Sequence, residues 1–296
     1  MKRIIIYIIC AISAVGMRAA DGDLFPYPKP TDDMTTLVER CDYLVSEFWK
    51  RCDFKSAMSK KEALNSTFGD WISFMPFASA DTVHSAIDHL LATVAKSGPH
   101  TLEMARMAEA WAHSDSADIY SDEIFLPFAK AAAGHKKIKA DDRKHFATQV
   151  QIMENTQQGK PMRHLEYVTP EGETKNFDDL HTQMILVVFG RYDSDAANLA
   201  RVRLSADINA NTLIKAGLLT VIYLQPGDAT EEWKAAAAGY PEEWTIGAAP
   251  DAREYFPLRT SPAIYLLDAR HKILLKEVPV DGMLAALTTL RQNTGI

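Results

Sequence analysis

The chain has 296 residues, of which 47% are hydrophobic and 24% charged, and its formal net charge is −7 at pH 7. This balance is typical of a globular protein of about two domains. The acidic charge and the lack of a basic block argue against a nucleic-acid surface. No apolar run of about 18 residues follows the N-terminus, so we expect no integral membrane segment in the mature chain.

The N-terminus has the layout of a secretory signal peptide. Two basic residues open the chain, an apolar run covers 4–15, and small residues follow up to Ala20. Signal peptides combine a basic start, a short apolar core and small residues at the cleavage site. We predict that residues 1–20 are removed, with a cut after Gly16 as the alternative, and that the protein is exported to the periplasm or cell envelope.

The predicted mature chain keeps two cysteines, Cys41 and Cys52, and loses Cys10 with the signal peptide. Both lie in the periodic stretch 33–53, where one continuous helix would hold them about 16 Å apart. A disulfide needs Cα atoms within about 7 Å, so we expect two unbridged, buried thiols. Their spacing is not Cys-x-x-Cys and no histidine pair supports it, so we expect no metal and no cofactor.

Helical periodicity runs through 31–158 almost without interruption. Asp32 or Asp33 is expected to cap a first helix that ends near Arg51. The capping-box pattern Ser59-Lys-Lys-Glu62 predicts the start of a second helix. A third helix is predicted to begin at Ser79 and to be stopped by Gly98-Pro99. Further helices are predicted over 100–113, 121–134 and 140–157.

After Gly159 the pattern changes to alternating strands and helices. Continuous apolar runs such as 184–189 are typical of buried central strands. The predicted strands are 164–168, 184–189, 218–224, 263–267 and 273–278, and the predicted helices are 195–215, 229–238 and 282–291. The last two strands flank the turn 268–272 and form a hairpin. The order is βαβα–ββα preceded by one strand, which predicts a mixed central sheet.

Several local motifs occur in the order found in one family. Phe189-Gly-Arg-Tyr192-Asp193-Ser194-Asp195-Ala196 resembles the strand-to-helix turn aromatic-Tyr-Asp-Pro-Asp-Cys-x-x-Cys of exported thioredoxin-like proteins. Arg259-Thr-Ser261-Pro262 resembles the cis-proline segment of that family. The helical half resembles the domain of unknown function that precedes the thioredoxin-like domain in many Bacteroidota envelope proteins. The fold class implied is α+β, with an all-helical domain over 21–158 and a thioredoxin-like α/β domain over 159–296.

The resemblance also shows what this chain lacks. Ala196 and Leu199 occupy the two cysteine positions, and Ser194 occupies the proline position. Thiol–disulfide exchange needs a thiolate nucleophile and a resolving thiol, so the motif predicts a redox-inactive domain without catalytic residues. The implied remaining function is non-catalytic binding of an unidentified peptide or protein. The implied binding residues are Tyr192, Asp193, Asp195, Ala196, Leu199, Ser261 and Pro262.

Other interpretations stay open at this stage. The chain is a thiol–disulfide oxidoreductase if Cys41 or Cys52 replaces the missing nucleophile, and a structural scaffold if the turn binds nothing. Asp193 and Asp195 could act as an acid–base pair, although aspartates before a helix are first expected to cap it. Trp233 and Trp244 either line a cleft near the sheet edge or, as we prefer, attach a long loop to the core.

Overall fold

The structure is a computed structural model that describes residues 24–117, 119–162 and 164–296. The predicted signal peptide, residues 1–20 with Cys10, lies outside the described residues. Contacts between Cα atoms divide the chain into two compact units, one up to Arg143 and one from Lys144 to Ile296. The predicted boundary after Gln158 marks the change in sequence pattern, whereas the division by contacts falls earlier, inside a helix.

The N-terminal half is helical. Its helices are α1 (Leu37–Glu47), α2 (Phe54–Ala57), α3 (Lys61–Phe74), α4 (Ala80–Val94), α5 (Gly98–Ala112), α6 (Asp122–Gly134) and α7 (Ala140–Asn155). Aromatic side chains dominate the core of the first unit: Trp71 is fully buried and its ring lies 5.7 Å from that of Trp49 and 5.6 Å from that of Phe68. The Trp71 indole N–H donates to Val45 O over 3.0 Å, so this large ring is buried without an unpaired donor.

The start of α1 differs from the prediction. Thr36, not Asp32 or Asp33, is the N-cap, because its hydroxyl accepts from Glu39 N and the Glu39 carboxylate accepts from Thr36 N. A capping box satisfies two backbone donors at once, which one aspartate cannot do. The helix ends at Glu47 and continues as a 3₁₀ turn, Phe48–Arg51, so the prediction of one helix that ends near Arg51 was wrong in its last turn.

Two further helix boundaries were also predicted wrongly. The Ser59 capping box does not form: α3 begins at Lys61 after Lys60, which makes no side-chain cap. Gly98-Pro99 does not stop α4, which ends at Val94, but instead opens α5 after the N-cap Ser97. Proline suits the first turn of a helix, where its missing N–H has no intrahelical acceptor.

The second unit is built around a seven-stranded mixed sheet in the order β2-β1-β5-β4-β3-β6-β7. Strands β3, β4 and β5 run parallel, and the remaining pairs are antiparallel. The strands are β1 (Glu166–Val168), β2 (Thr174–Asn176), β3 (Met184–Phe189), β4 (Leu219–Gln225), β5 (Thr245–Ala248), β6 (Ala263–Asp268) and β7 (Ile273–Leu275). The helices are α8 (Asp195–Ala206), α9 (Ile208–Lys215), α10 (Glu231–Ala237), α11 (Ala252–Tyr255) and α12 (Val280–Thr294).

The elements of the second unit follow the predicted order, except that two further strands are present and one predicted helix is divided into two. The short strands β2 and β5 were not predicted, and β5 contains Gly247, where a Cβ would lie 2.3 Å from the Tyr167 ring. The predicted helix 195–215 is two helices, because Asp207 has extended backbone and its carboxylate accepts from Ala210 N over 2.8 Å as the N-cap of α9.

Both faces of the sheet are covered. Alternate residues of β3 point to opposite sides, so that Val187 joins one apolar cluster with Phe256 while Leu186 joins another with Leu213. Trp233 is 1% exposed and Trp244 7% exposed, so both rings are buried, and Trp233 lies on α10 rather than in the long loop that we predicted.

The two edges of the sheet differ. Strand β2 is a short edge of three polar residues. The edge of β7 is covered by its own chain, since Gly159 N donates to Ile273 O over 2.7 Å and Ile273 N donates to Lys160 O over 2.9 Å. A bridge between Pro161 and Lys272 continues this pairing. Short polar strands and covered backbone both discourage pairing with another chain.

Candidate functional site

The predicted site residues lie at the carboxyl end of the parallel strands. The turn 190–194 leaves β3 and enters α8, and the segment 259–262 enters β6, which pairs with β3 through Phe189 and Ala263. Ligands of open α/β sheets bind outside the carboxyl ends of the strands. The fold therefore brings Tyr192, Asp193 and Ser261 to the edge where such sheets bind ligands.

Hydrogen bonds connect the turn to the segment before Pro262. Arg191 N donates to Ser261 Oγ over 3.0 Å, and Ser194 Oγ donates to Ser261 O over 3.4 Å. The Ser194 oxygen also accepts from Ala197 N over 3.3 Å, so Ser194 is the N-cap of α8. Within the described chain the Ser261 N–H donates to no acceptor, which leaves one backbone donor available at this edge.

The peptide bond between Ser261 and Pro262 is cis, as in the family that the sequence resembles. Both residues are partly exposed. Just before them, Arg259 is 8% exposed and its Nε donates to Glu277 Oε1 over 3.2 Å. This buried ion pair attaches the segment to the chain that follows β7, and it fixes the position of the Ser261 backbone.

Close packing requires a glycine at the start of the turn. A Cβ on Gly190 would lie 2.1 Å from Tyr223 Oη, and Gly190 N donates to Leu224 O over 2.9 Å. Tyr223 is fully buried, its hydroxyl lies 3.5 Å from Ala197 O, and burial raises the pKa of its phenol well above the usual value. The phenol is thus neutral and fills the space beneath the first turn of α8.

Tyr192 is less open than the resemblance implied. Its N–H donates to Gln225 Oε1 over 3.0 Å, and its carbonyl accepts from Asn198 Nδ2 over 2.8 Å. The half-buried Tyr192 ring packs against the cluster that contains Trp233. Tyr192 therefore holds the turn against the neighbouring loop, and only part of its ring faces solvent.

The two aspartates have different surroundings. Arg191 donates to both oxygens of Asp193, over 2.9 Å and 2.6 Å, and this pairing holds the pKa of Asp193 below its usual 3.8. Asp195 is exposed in the first turn of α8, where a carboxylate favours the positive end of the helix dipole. Neither aspartate is the cap, because Ser194 has that position, so the expectation that they cap the helix was wrong.

No thiol lies in the turn. Ala196 and Leu199 are both exposed, and Leu199 keeps 62% of its surface in solvent. The two cysteines of the described chain, Cys41 and Cys52, are free thiols, one buried and one partly buried. Burial raises the pKa of Cys41, and it raises the pKa of Cys52 to about 12.

Sequence reasoning missed three residues that shape the turn: Arg191, Gln225 and Asn198. Gln225 ends β4 and is 9% exposed. A polar residue at the end of an otherwise apolar strand, followed by Pro226-Gly227, was the available signal. Arg191 and Asn198 carried no such signal, because their roles depend on contacts that only the folded turn creates.

Among the described residues, no group of three or more His, Cys, Asp or Glu side chains has an arrangement that could hold a metal ion. Within the same ranges, no helix combines the length and the apolar character needed to cross a membrane.

Comparison with known proteins agrees with this architecture. Residues 13–156 match the family model "Domain of unknown function (DUF5106)". A thioredoxin-like protein from Bacteroides caccae superposes with a TM-score of 0.74 at 17% identity, covering 90% of this chain and 98% of that one. The helical half is thus similar to the DUF5106 family, and the fold of the chain is similar to that of the thioredoxin-like protein. At this identity, the match shows the fold of the thioredoxin-like domain and of the helical region before it, but no activity.

Two further structures each match less than half of the chain. A conserved protein of unknown function from Bacteroides fragilis is 24% identical and covers 44% of this chain and 98% of its own, with a TM-score of 0.43. The thioredoxin domain of a thiol-disulfide oxidoreductase from Bacteroides vulgatus is 20% identical and covers 45% and 97%, with a TM-score of 0.39. TM-scores this low show neither a shared fold nor a shared function. No curated protein matches the chain.

Proposed function

We propose that this protein is exported and that its thioredoxin-like domain is redox-inactive and binds an extended peptide or protein segment without chemistry. The observation that carries the proposal is the turn itself. It keeps the partly exposed Ser261 edge, whose N–H has no acceptor within the described residues, and it presents Leu199 to solvent at a position where the resemblance implies a cysteine. A backbone donor beside an exposed apolar side chain suits an extended segment.

The loss of exchange chemistry rests on the state of the thiols. A thiolate at the start of a helix is stabilised by the helix dipole and by free N–H groups, but Ala196 offers no sulfur at that place. A pKa of about 12 leaves Cys52 protonated at neutral pH, and burial disfavours the thiolate of Cys41 as well. A thiol–disulfide oxidoreductase that uses a cysteine outside the motif is therefore the weaker proposal.

An insulin-reduction assay tests the redox part. The purified chain without residues 1–20 should give no turnover above buffer with dithiothreitol, and Cys41→Ser and Cys52→Ser should behave identically. Turnover that disappears in one serine variant would refute redox inactivity and identify the nucleophile.

A titration followed by methyl NMR tests the binding part. The probe is reduced and alkylated insulin B chain, an extended peptide without free thiols. We expect shifts concentrated on Ala196, Leu199 and Val202. A Ser261→Pro variant, which removes the free N–H, should weaken binding, whereas Ser205→Ala on the same helix should not. Shifts scattered over the protein, or none, would favour the scaffold interpretation.

A further inference from the structure

One face of α8 carries exposed apolar residues beside Asp195 and Arg203, and Arg203 forms an ion pair with Asp281. Ala197, Ala200 and Leu204 are buried beneath the helix. Residues three or four apart lie on one helix face, and on the opposite side the exposed positions recur as Ala196, Leu199, Val202 and Ala206. We call these four residues the α8 ridge.

The α8 ridge contains large side chains that folding leaves in water. Leu199 is 62% exposed and Val202 51% exposed. Single exposed apolar residues are common on protein surfaces, but several that recur on one helix face are typical of an interaction site. The ridge begins at the turn that carries the Ser194–Ser261 contact, so it is continuous with the proposed binding edge.

Carboxylates surround this edge. Asp195 opens α8, Glu231 and Glu232 open α10, and Asp228 lies in the loop before α10. Asp251 and Glu254 follow β5. All six are exposed, and we call them the acidic rim.

The acidic rim follows the carboxyl edge of the parallel strands, with α8 on one face of the sheet and α11 on the other. Strands β3, β4 and β5 are parallel, and the register pairs Phe189 with Leu224 and Gln225 with Ala248, so their carboxyl ends coincide. Tyr192 packs against the cluster of Trp233, which brings the start of α10 to the turn.

Few cations compensate the acidic rim. Arg191 is paired with Asp193 over 2.6 Å, and Lys234 is paired with Glu231 over 2.7 Å. The Arg253 guanidinium donates to Leu258 O over 3.3 Å. Asp195, Asp228 and Glu232 form no ion pair within the described chain. Arg253 keeps its positive charge in that hydrogen bond, so Lys234 and Arg253 offset part of the six carboxylates and leave an excess of negative charge, which attracts a cationic partner.

We propose that the occupant of this surface is an extended peptide segment that combines apolar side chains with lysine or arginine. Its apolar side chains lie on Leu199 and Val202, its backbone pairs with the Ser261 N–H, and its cations face the acidic rim. This inference rests on the proposed binding function and adds the chemistry of the partner to it.

Fluorescence anisotropy with four labelled ten-residue peptides tests the partner chemistry. In each peptide two residues alternate: Leu and Lys, Leu and Glu, Leu and Ser, or Ser and Lys. Each labelled peptide is titrated with the full chain without residues 1–20. We expect Leu/Lys to bind at least about tenfold tighter than each of the others, with affinity falling as salt rises. Equal binding of Leu/Glu would refute the role of the acidic rim, and equal binding of Ser/Lys would refute the role of the ridge.

Matched variants locate the contact. Leu199→Ser with Val202→Ser should abolish the preference for Leu over Ser. The control is Leu37→Ser with Val38→Ser on α1, where the exposures are 42% and 50%. Asp195→Asn with Glu232→Gln should reduce the preference for Lys over Glu, whereas Glu62→Gln with Asp81→Asn, exposed acids in the first turns of α3 and α4, should not. Equal losses in the control variants would overturn the assignment to this surface.

The outcomes separate this inference from the proposed function. If the insulin B chain shifts the α8 ridge while all Leu-containing peptides bind equally, peptide binding stands and the cationic preference is refuted. If neither the B chain nor any of the four peptides binds, the proposed function itself is refuted.

Discussion

Gly190 is a position in the turn that has no room for a side chain. Its backbone runs against the buried Tyr223, whose hydroxyl occupies the place of a side chain. Protein interiors are close-packed, so added atoms must displace neighbours at a cost.

We expect Gly190→Ala to destabilise the protein by about 1–3 kcal/mol, because the new Cβ would meet Tyr223 Oη. Gly134→Ala is the control, since a Cβ there meets nothing within 4 Å and alanine is the better helix former. Urea unfolding measures both variants. Equal stability of the two would show that Tyr223 moves aside without cost.

The thiol of Cys52 gives a second prediction at this scale. A pKa of about 12 leaves about 1 in 10,000 thiols ionised at pH 8, and only the thiolate reacts quickly. Labelling of the native protein by a disulfide reagent should therefore be at least about 100-fold slower than labelling of free cysteine. Unfolding in urea should restore the normal rate, and Cys52→Ser identifies the signal. Fast labelling of the native protein would contradict the assigned burial.

The ion pair in the turn predicts a pH dependence. Arg191 lowers the pKa of Asp193, so the pairing is present above the ordinary value of 3.8 and is lost only as pH falls through the lowered folded value. An NMR titration of the Asp193 carboxyl should give a midpoint below 3.8. Arg191→Gln should return the midpoint to the ordinary range. An unchanged midpoint in that variant would show that the backbone hydrogen bond of Asp193, and not Arg191, lowers the pKa.

At the scale of elements, Ser194 stabilises α8 in two ways. It caps the start of the helix by accepting from Ala197 N, and it connects the helix to the other segment of the site by donating to Ser261 O. Ser194→Ala removes both hydrogen bonds, and the loss of an N-cap costs about 0.5–2 kcal/mol. Ser194→Asp keeps an acceptor for Ala197 N and should recover most of the stability but not the contact with Ser261 O. Urea unfolding compares the three proteins. An unaffected Ser194→Ala would show that Asp195 takes over the cap.

The elements also show what the sequence can predict. Long periodic runs such as 121–134, and continuous apolar runs such as 184–189, correspond to α6 and β3 with small shifts in their ends. The missed strand β5 has only four residues and includes a glycine, so its pattern is too short to differ from a loop.

At the candidate site, the sequence likewise predicts some features of the turn but not the contacts that hold it. The cis peptide bond before Pro262 agrees with the resemblance, whereas the assignment of Ala196 and Leu199 to the cysteine positions stays a prediction. The partners of Arg191 and Tyr192 come from residues 70 and 33 positions away, and no local pattern encodes such contacts.

At the scale of the whole molecule, charge decides which polymers can bind. The chain has 39 acidic residues against 32 lysines and arginines. Affinity for DNA comes mainly from cations that displace counterions from phosphates. We expect no anisotropy change with labelled duplex DNA at 150 mM salt, under the conditions in which the Leu/Lys peptide binds. Saturable DNA binding would reveal a basic surface that the overall charge conceals.

The pairing of residues 159–161 along β7 has a consequence for concentrated solutions. Strand β7 has a neighbour on each side, so its backbone offers no template to another molecule. The opposite edge strand, β2, has only three residues, and all three are polar. Both margins of the sheet therefore disfavour the addition of strands that would build a fibril. A crowded compartment would then favour precipitation of this protein through its exposed helices rather than through its strands.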